Sequence, residues 1–176
     1  MQIRMVNAAD GMLLKRMRLR ALDDAPYAFG GEETLVQERA LPDEHWHTLA
    51  RELGGEVKAW RDRCATWFIL GDGGGDDVQA QGSSFLCDRV AGRAYFSAAW
   101  VDPRYRRRGL GRHLVREALA WAAAHGCDHL KLWVDDTNPG AASFYRAMGF
   151  IPTGEVRPVS ATSSDRESSF ELRLSR

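Results

Sequence analysis

The sequence predicts an α+β fold in one domain, and three observations carry the prediction. Helical periodicity marks two long stretches: Leu14, Met17 and Ala21 recur at three- and four-residue spacing, as do Leu110, Leu114, Ala118 and Trp121. Between them, residues 64–101 hold successive runs rich in β-branched, aromatic and small residues, the pattern of consecutive strands. No repeat, linker or low-complexity tract interrupts the 176 residues, so 1–176 reads as one unit.

In order, Gln2 to Val6 alternates as a short strand, and Asn7-Ala8-Ala9-Asp10 opens a helix with a short polar cap. Pro26 closes it, and Pro26-Tyr27-Ala28-Phe29-Gly30-Gly31 forms an aromatic loop. A second helical stretch, about Glu32 to Leu53, breaks at Pro42, where Pro42-Asp43-Glu44 restarts a helix with acids at its positive end. Strands follow at Ala65 to Leu70, Val78 to Leu86 and Arg93 to Val101. The glycine cluster Gly71 to Asp77 has no helix after it to aim amides at a phosphate, so it reads as a hairpin loop. The helix from Leu110 stops at Gly126, and His129 to Val134 is a strand. Asn138-Pro139 starts a short helix to Met148, with Gly149 as its left-handed stop and Phe150 as the apolar contact behind it. Strands at about Phe150 to Val159 and Ser169 to Leu174 complete the order.

Composition excludes several function classes. Lys+Arg and Asp+Glu are both 24, so no global charge recruits nucleic acid or an anionic membrane. The N-terminal ten residues lack the apolar stretch of a signal peptide, and no run approaches the ~20 apolar residues of a membrane span. Cys64, Cys87 and Cys127 are scattered and odd in number, which suits free thiols in a reducing cytoplasm and neither a disulfide framework nor a zinc knuckle.

The charge that is present is concentrated. Between Arg104 and Arg116 there are six arginines and no acid, in a chain whose net charge is zero. Three partners would answer that asymmetry: solvent, nucleic acid, or the pyrophosphate of a small cofactor. No ladder of aromatics accompanies the arginines, as single-stranded nucleic acid would require. The order strand, Arg-x-x-Gly-x-Gly, helix favours the pyrophosphate. A helix start leaves backbone N–H groups unpaired at the positive end of the dipole, and Gly109 and Gly111 remove the Cβ atoms that would hold a phosphate away.

Arg106-Arg107-Arg108-Gly109-Leu110-Gly111, preceded by Val101-Asp102-Pro103 and followed by Leu114, resembles the Arg/Gln-x-x-Gly-x-Gly/Ala signature of the GNAT superfamily of acyl-CoA-dependent N-acetyltransferases. Asn138-Pro139-Gly140-Ala141-Ala142-Ser143-Phe144-Tyr145-Arg146-Ala147-Met148-Gly149-Phe150 is similar to the family's second cofactor segment, and the element order matches over nearly the whole chain. The resemblance implies a mixed, mostly antiparallel sheet, splayed between its fourth and fifth strands and flanked by helices, with acetyl-CoA as cosubstrate. It implies that the pantetheine arm lies in the splay, paired to peptide groups near Trp100 and Val101. Arg106, Arg107, Arg108, Gly109, Leu110, Gly111 and Arg112 would then surround the pyrophosphate. Asn138 would steady the arm, and Tyr145 would aim its hydroxyl at the thioester sulfur. The plainer alternatives are a helix cap for Asn138 and a core aromatic, four residues from Ala141, for Tyr145.

The implied reaction is acetyl transfer to a primary amine of a small molecule or peptide by direct attack in a ternary complex. A thiol pKa near ~8.5 makes the leaving group undemanding, so a tyrosine suffices as its proton donor. Family members often carry a glutamate base on the fourth strand, but Phe96-Ser97-Ala98-Ala99-Trp100-Val101 has no carboxylate. Asp135 and Asp136 stand as alternatives for that role, or as solvated loop acids. The acceptor pocket of the family would here draw on Tyr27, Phe29, Glu32, Glu33 and Trp46. His45 and His47, two apart, do not share a helix face, and no metal site is expected. A CoA-binding module without turnover is the alternative function. The expected partners are acetyl-CoA and an amine acceptor, with no nucleic acid or membrane and with a homodimer left open.

Overall fold

Local sequence sets the element boundaries of the computed structural model, which describes residues 1–29, 32–54, 56–57, 63–72, 77–86, 92–159 and 164–174, with the side chains at 27, 29, 32 and 33 outside that description. Strand β1 is Gln2–Met5 and helix α1 is Gly11–Asp24. Between them Asn7 and Asp10 build a capping box: Ala9 N–H donates to Asn7 Oδ1 at 2.9 Å and Asn7 N–H donates to Asp10 Oδ2 at 2.8 Å. Arg4 donates both guanidinium nitrogens to the same carboxylate, at 2.6 and 2.7 Å. Leu13, Leu14, Met17 and Ala21 turn inward, and the helix ends one residue before Ala25-Pro26.

The second helical stretch divides at Pro42 into α2, Glu32–Arg39, and α3, Asp43–Leu53. Strands β2, Cys64–Leu70, β3, Val78–Leu86, and β4, Arg93–Val101, form an antiparallel meander. Of the glycine cluster, residues 73–76 lie outside the described residues, as does Cys87; β2 and β3 are nonetheless adjacent and antiparallel, as a hairpin requires. Helix α4 is Leu110–Ala124, β5 is His129–Asp135 and α5 is Pro139–Ala147. Gly149, at φ +94°, ends α5 in a Schellman motif in which Phe150 N–H donates to Tyr145 C=O at 3.1 Å. Strands β6, Ile151–Pro158, and β7, Arg166–Arg173, complete the chain.

The seven strands form one sheet in the order β1-β2-β3-β4-β5-β7-β6. Only β4 and β5 run parallel, and they pair over three residues, Arg93 with His129 through Tyr95 with Lys131. Beyond Tyr95 the strands part, which is the splay that the resemblance implied.

A layer lies on each face. Helices α4 and α5 cover a core that includes Trp67, Ile69, Phe96, Leu114, Leu130, Leu132 and Phe150, whereas α1 and α3 cover Val6, Met17, Trp46, Phe68, Val78 and Trp100. Phe96 and Trp100, four apart on one strand, therefore face opposite layers. The cause is a β-bulge: Ser83 faces Ser97 while Gln81 faces Trp100, so one extra residue enters β4, and Ala98 takes the left-handed φ of +50°. Gly82 of β3 sits opposite the bulge, where a Cβ would lie 2.8 Å from Phe96 Cε2.

Candidate active site

The bulge, the splay and the start of α4 meet at the C-terminal end of β4. Asp102 N–H donates to Gln79 C=O at 2.9 Å, so by strand alternation Trp100 also turns its peptide groups to β3. Val101 is left turning its own toward the open edge. Its carbonyl accepts from Arg106 Nε at 3.1 Å. The side chain of Trp100 belongs to the α1 layer: it is 5% exposed, its indole Nε1 donates to Asp24 Oδ2 at 2.8 Å, and the Arg20 guanidinium lies 5.3 Å from its ring centroid.

The arginine run divides into two groups. Arg104 is held by the buried Asp102, which accepts from its backbone N–H at 2.8 Å and from its guanidinium at 2.9 and 3.1 Å; Arg20 pairs with the same carboxylate. Arg106 is ion-paired to Asp24. Among the described residues, Arg107, Arg108, Arg112 and Arg116 have no carboxylate partner, and all four are exposed. Arg108 rests 5.4 Å from the Tyr105 ring.

The backbone adds its own positive potential. Gly109 caps α4 at φ +83°, ψ 0°, directly followed by helical Leu110, and this left-handed to right-handed step turns successive N–H groups to one side as an anion-binding nest. Arg107 also lies in the left-handed region, at φ +64°, which is strained for a residue with a Cβ. A Cβ on Gly109 would meet nothing within 4 Å and so would stand in the open space before the helix start. Gly111 differs: a Cβ there would lie 3.3 Å from Phe144 Cζ, so this glycine brings α4 close to α5. Its smallness serves helix packing, a reason the spacing of the signature did not indicate. Leu110, 5% exposed, anchors the first turn of α4 in the core.

Helix α5 supplies the remaining candidates. Asn138 caps it, its Oδ1 accepting from Ala141 N–H at 3.0 Å. Tyr145 packs edge-on against Phe144 and Phe150, with centroids 5.0 and 5.6 Å apart, and makes no hydrogen bond to the described residues. Burial pushes the pKa of its hydroxyl up, so the group stays protonated well above neutrality. At the end of β5, Asp135 is 7% exposed; its Oδ1 accepts from Thr137 N–H at 2.7 Å and Thr137 Oγ1 at 2.5 Å, while its Oδ2 is buried without a partner among the described residues. Asp136 is exposed and accepts from Ser168 Oγ at 2.6 Å.

Of the expected acceptor lining, Trp46 is a core residue, 2% exposed within the α1 and α3 layer, and the side chains of Tyr27, Phe29, Glu32 and Glu33 lie outside the described residues. His125 stacks on Trp121 at 4.3 Å and His129 bonds Asp128 at 2.7 Å. Among the described residues no group of His, Cys, Asp and Glu could hold a metal ion, and no helix is long and apolar enough to cross a membrane. Two features carry no local sequence signal: the bulge at Ala98 and the contacts of Asp24 with Trp100 and Arg106.

Comparison with known proteins places this geometry in a family. The GCN5-related N-acetyltransferase 4, chloroplastic, of Arabidopsis thaliana is 36% identical over 93 residues, 51% of this chain, which spans about a third (32%) of that relative's length. The aminoglycoside N(6')-acetyltransferase type 1 of Klebsiella aerogenes is 31% identical over 65% of this chain and 75% of its own length. Among solved structures, yncA of Salmonella typhimurium, determined with its cofactor acetyl-CoA, superposes with a TM-score of 0.73 at 18% identity, over 100% of this chain and 95% of that one, a likeness of fold. The model of the acetyltransferase (GNAT) family matches residues 23–150, from the end of α1 to the Schellman turn after α5. The chain belongs to the acetyltransferase (GNAT) family.

Proposed function

We propose that this chain, acting as one domain over residues 1–176, transfers the acetyl group of acetyl-CoA to a primary amine of a small molecule or peptide by direct attack in a ternary complex. The observation that carries the reading is an open strand edge meeting an anion-ready helix start. Strands β4 and β5 part after three pairs, and at the far end of β4 the Gly109 turn opens α4 beside Arg107, Arg108 and Arg112. A thioester on a long arm that ends in a pyrophosphate needs both features. The open space at Gly109, which a Cβ would fill, and three arginines without carboxylate partners among the described residues suit such a ligand.

When bound, acetyl-CoA supplies an activated acyl group whose leaving thiolate has a pKa near ~8.5. On this reading Val101 offers its peptide groups to the arm, and the amides from Arg107 to Arg112 hold the pyrophosphate with those three guanidinium groups. Asn138 keeps its Oδ1 on Ala141 N–H and has its amide hydrogens left for the arm. Tyr145 donates to the departing sulfur. Because burial raises its pKa, its contribution is a hydrogen bond more than a completed proton transfer. No carboxylate stands on β4, and Asp135 has an oxygen to spare, so Asp135 is the candidate to take a proton from the attacking amine.

The relatives' names include an aminoglycoside acetyltransferase and N-acetyltransferases, which supports an amine acceptor as a class. The absence of a carboxylate on β4 also favours a second reading, a CoA-binding module without turnover. Thiol release from acetyl-CoA across a panel of primary amines decides between them. Release stimulated by any amine supports the enzyme, CoA binding without release supports the module, and no CoA binding refutes both. The same reading puts the chain in the cytoplasm, where acetyl-CoA coexists with reduced thiols such as the buried Cys64, as a monomer or as a homodimer that sedimentation distinguishes.

A further inference from the structure

The last residue of α1 has two partners from the cofactor side of the chain. Trp100 Nε1 donates to Asp24 Oδ2 at 2.8 Å, and the Arg106 guanidinium forms an ion pair with the same oxygen. Arg106 also donates from Nε to Val101 C=O at 3.1 Å. The first arginine of the signature is thus held on two sides, by the helix end and by the last peptide of β4. Asp24 is 19% exposed and Arg106 47%, so the pair is partly shielded from solvent.

We propose that Asp24 is a positioning residue for the pyrophosphate loop: it clasps Arg106 against the end of β4, so that the turn from Arg107 to Gly109 is held ready and Arg106 itself is kept off the ligand. The inference rests on the reading of that loop as a CoA site. Its physical basis is preorganisation. The loop contains a strained residue, Arg107 at φ +64°, and a left-handed glycine two residues on. Such a turn persists only when its flanks are fixed, and the flank before it is Arg106. Fixing it before the ligand arrives removes part of the ordering cost of binding. A planar guanidinium suits the task, because it can bond a carboxylate and a carbonyl at once in fixed directions.

The sign of one measurement separates this clasp from plain electrostatics. Asp24 is a negative charge on the flank of an anion site, and on electrostatics alone removing it should tighten anion binding. If Asp24 positions the loop, removing its charge weakens binding instead. Asp24→Asn keeps an acceptor for Trp100 Nε1 and loses only the ion pair, and Asp23→Asn removes the same charge one residue earlier without touching Arg106. Calorimetric titration with CoA should give a Kd about tenfold weaker for Asp24→Asn, the worth of one charge-assisted hydrogen bond, and an unchanged or slightly tighter Kd for Asp23→Asn. Asp24→Asn with Arg106→Gln should be no weaker than either change alone, because both break one clasp. If the melting curve shows that Asp24→Asn does not fold, Arg106→Lys serves instead. It keeps the charge but cannot fork to Asp24 and Val101 together, and the same weakening is expected. Asp24→Asn binding CoA as tightly as the wild type or tighter, or an unweakened Arg106→Lys, overturns the clasp alone. A wild-type chain that binds no CoA overturns the functional reading itself.

Discussion

Replacing Tyr145 by phenylalanine removes one oxygen and leaves the packing in place. The ring keeps its edge contacts with Phe144 and Phe150 at 5.0 and 5.6 Å, and no hydrogen bond to a described residue is lost. The melting temperature should therefore stay within a few degrees of the wild type. Catalysis is another matter if the hydroxyl meets the departing sulfur. A hydrogen bond to a group developing negative charge is worth about 1.5–3 kcal/mol, so kcat should fall roughly tenfold to 150-fold with KM for acetyl-CoA nearly unchanged. A tyrosine with its pKa at or above ~10 is a weaker acid than the thiol it would assist, which holds the magnitude in this range. The raised pKa of the buried hydroxyl fixes the pH behaviour. A tyrosine whose pKa is pushed above its usual value near ~10 remains protonated, and so remains a donor, through the alkaline range in which amine acceptors are neutral. The assay is thiol release at saturating amine between about pH 7 and pH 9.5, with a melting curve alongside. A Tyr145→Phe enzyme within about threefold of the wild type in kcat refutes the argument and leaves Tyr145 a core aromatic. An alkaline limb in the wild-type profile that the substitution abolishes would keep the donor role and overturn only the raised pKa.

The two signature glycines should fail differently. Gly109→Ala has room for its Cβ but must hold φ +83°, so chemical denaturation should show a loss of about 1 kcal/mol, and CoA should bind more weakly because the methyl group stands before the α4 amides. Gly111→Val drives carbon atoms into the Phe144 ring, already 3.3 Å from the ideal Cβ, and should cost about 1–3 kcal/mol in the same experiment; if it unfolds like the wild type, the α4 and α5 contact is not tight. Asp10 gives a pH test. Burial alone would raise its pKa, but the hydrogen bonds from Arg4 and Asn7 N–H outweigh it and hold the carboxyl below the usual 3.8. A depressed folded-state pKa means that the stabilisation is present above the unfolded value and is lost as pH falls through the folded one. Melting temperature followed downward from about pH 5 should drop more steeply for the wild type than for Asp10→Asn, and parallel curves would contradict it.

What the sequence made legible is what short-range physics controls. The strand limits Val78–Leu86 and Arg93–Val101, the restart at Pro42 and the glycine stop after α5 follow from side-chain alternation, a missing N–H and a left-handed φ, each confined to a few neighbouring residues. The charge of the loop was legible as a sum. Its division was not: six arginines in a row of thirteen gave no sign that Arg104 and Arg106 are held by Asp102 and Asp24, the latter 82 residues from its partner. Trp46 enters the expected pocket only through the family resemblance, and amphipathic periodicity, which shows that it turns inward, does not show which layer it meets. The bulge was invisible for a related reason. Two alanines in a strand satisfy every local rule whether or not one of them is extra, and only the register with β3 decides.

That extra residue makes β4 sensitive to counting in a way it is not sensitive to chemistry. Along a pleated strand each position is a phase, and Ala98 resets the phase halfway. Side chains before it belong to one alternation and those after it to the opposite one. Exchanging Ala98 or Ala99 for another small residue leaves that reset where it is. Deleting one of them restores an unbroken alternation, which would carry the indole of Trp100 to the α4 layer, away from Asp24, and turn the peptide groups of Val101 toward β3. Asp24 of α1 and Trp100 of β4, seventy-six apart in sequence, thus owe their meeting to a single unit of length.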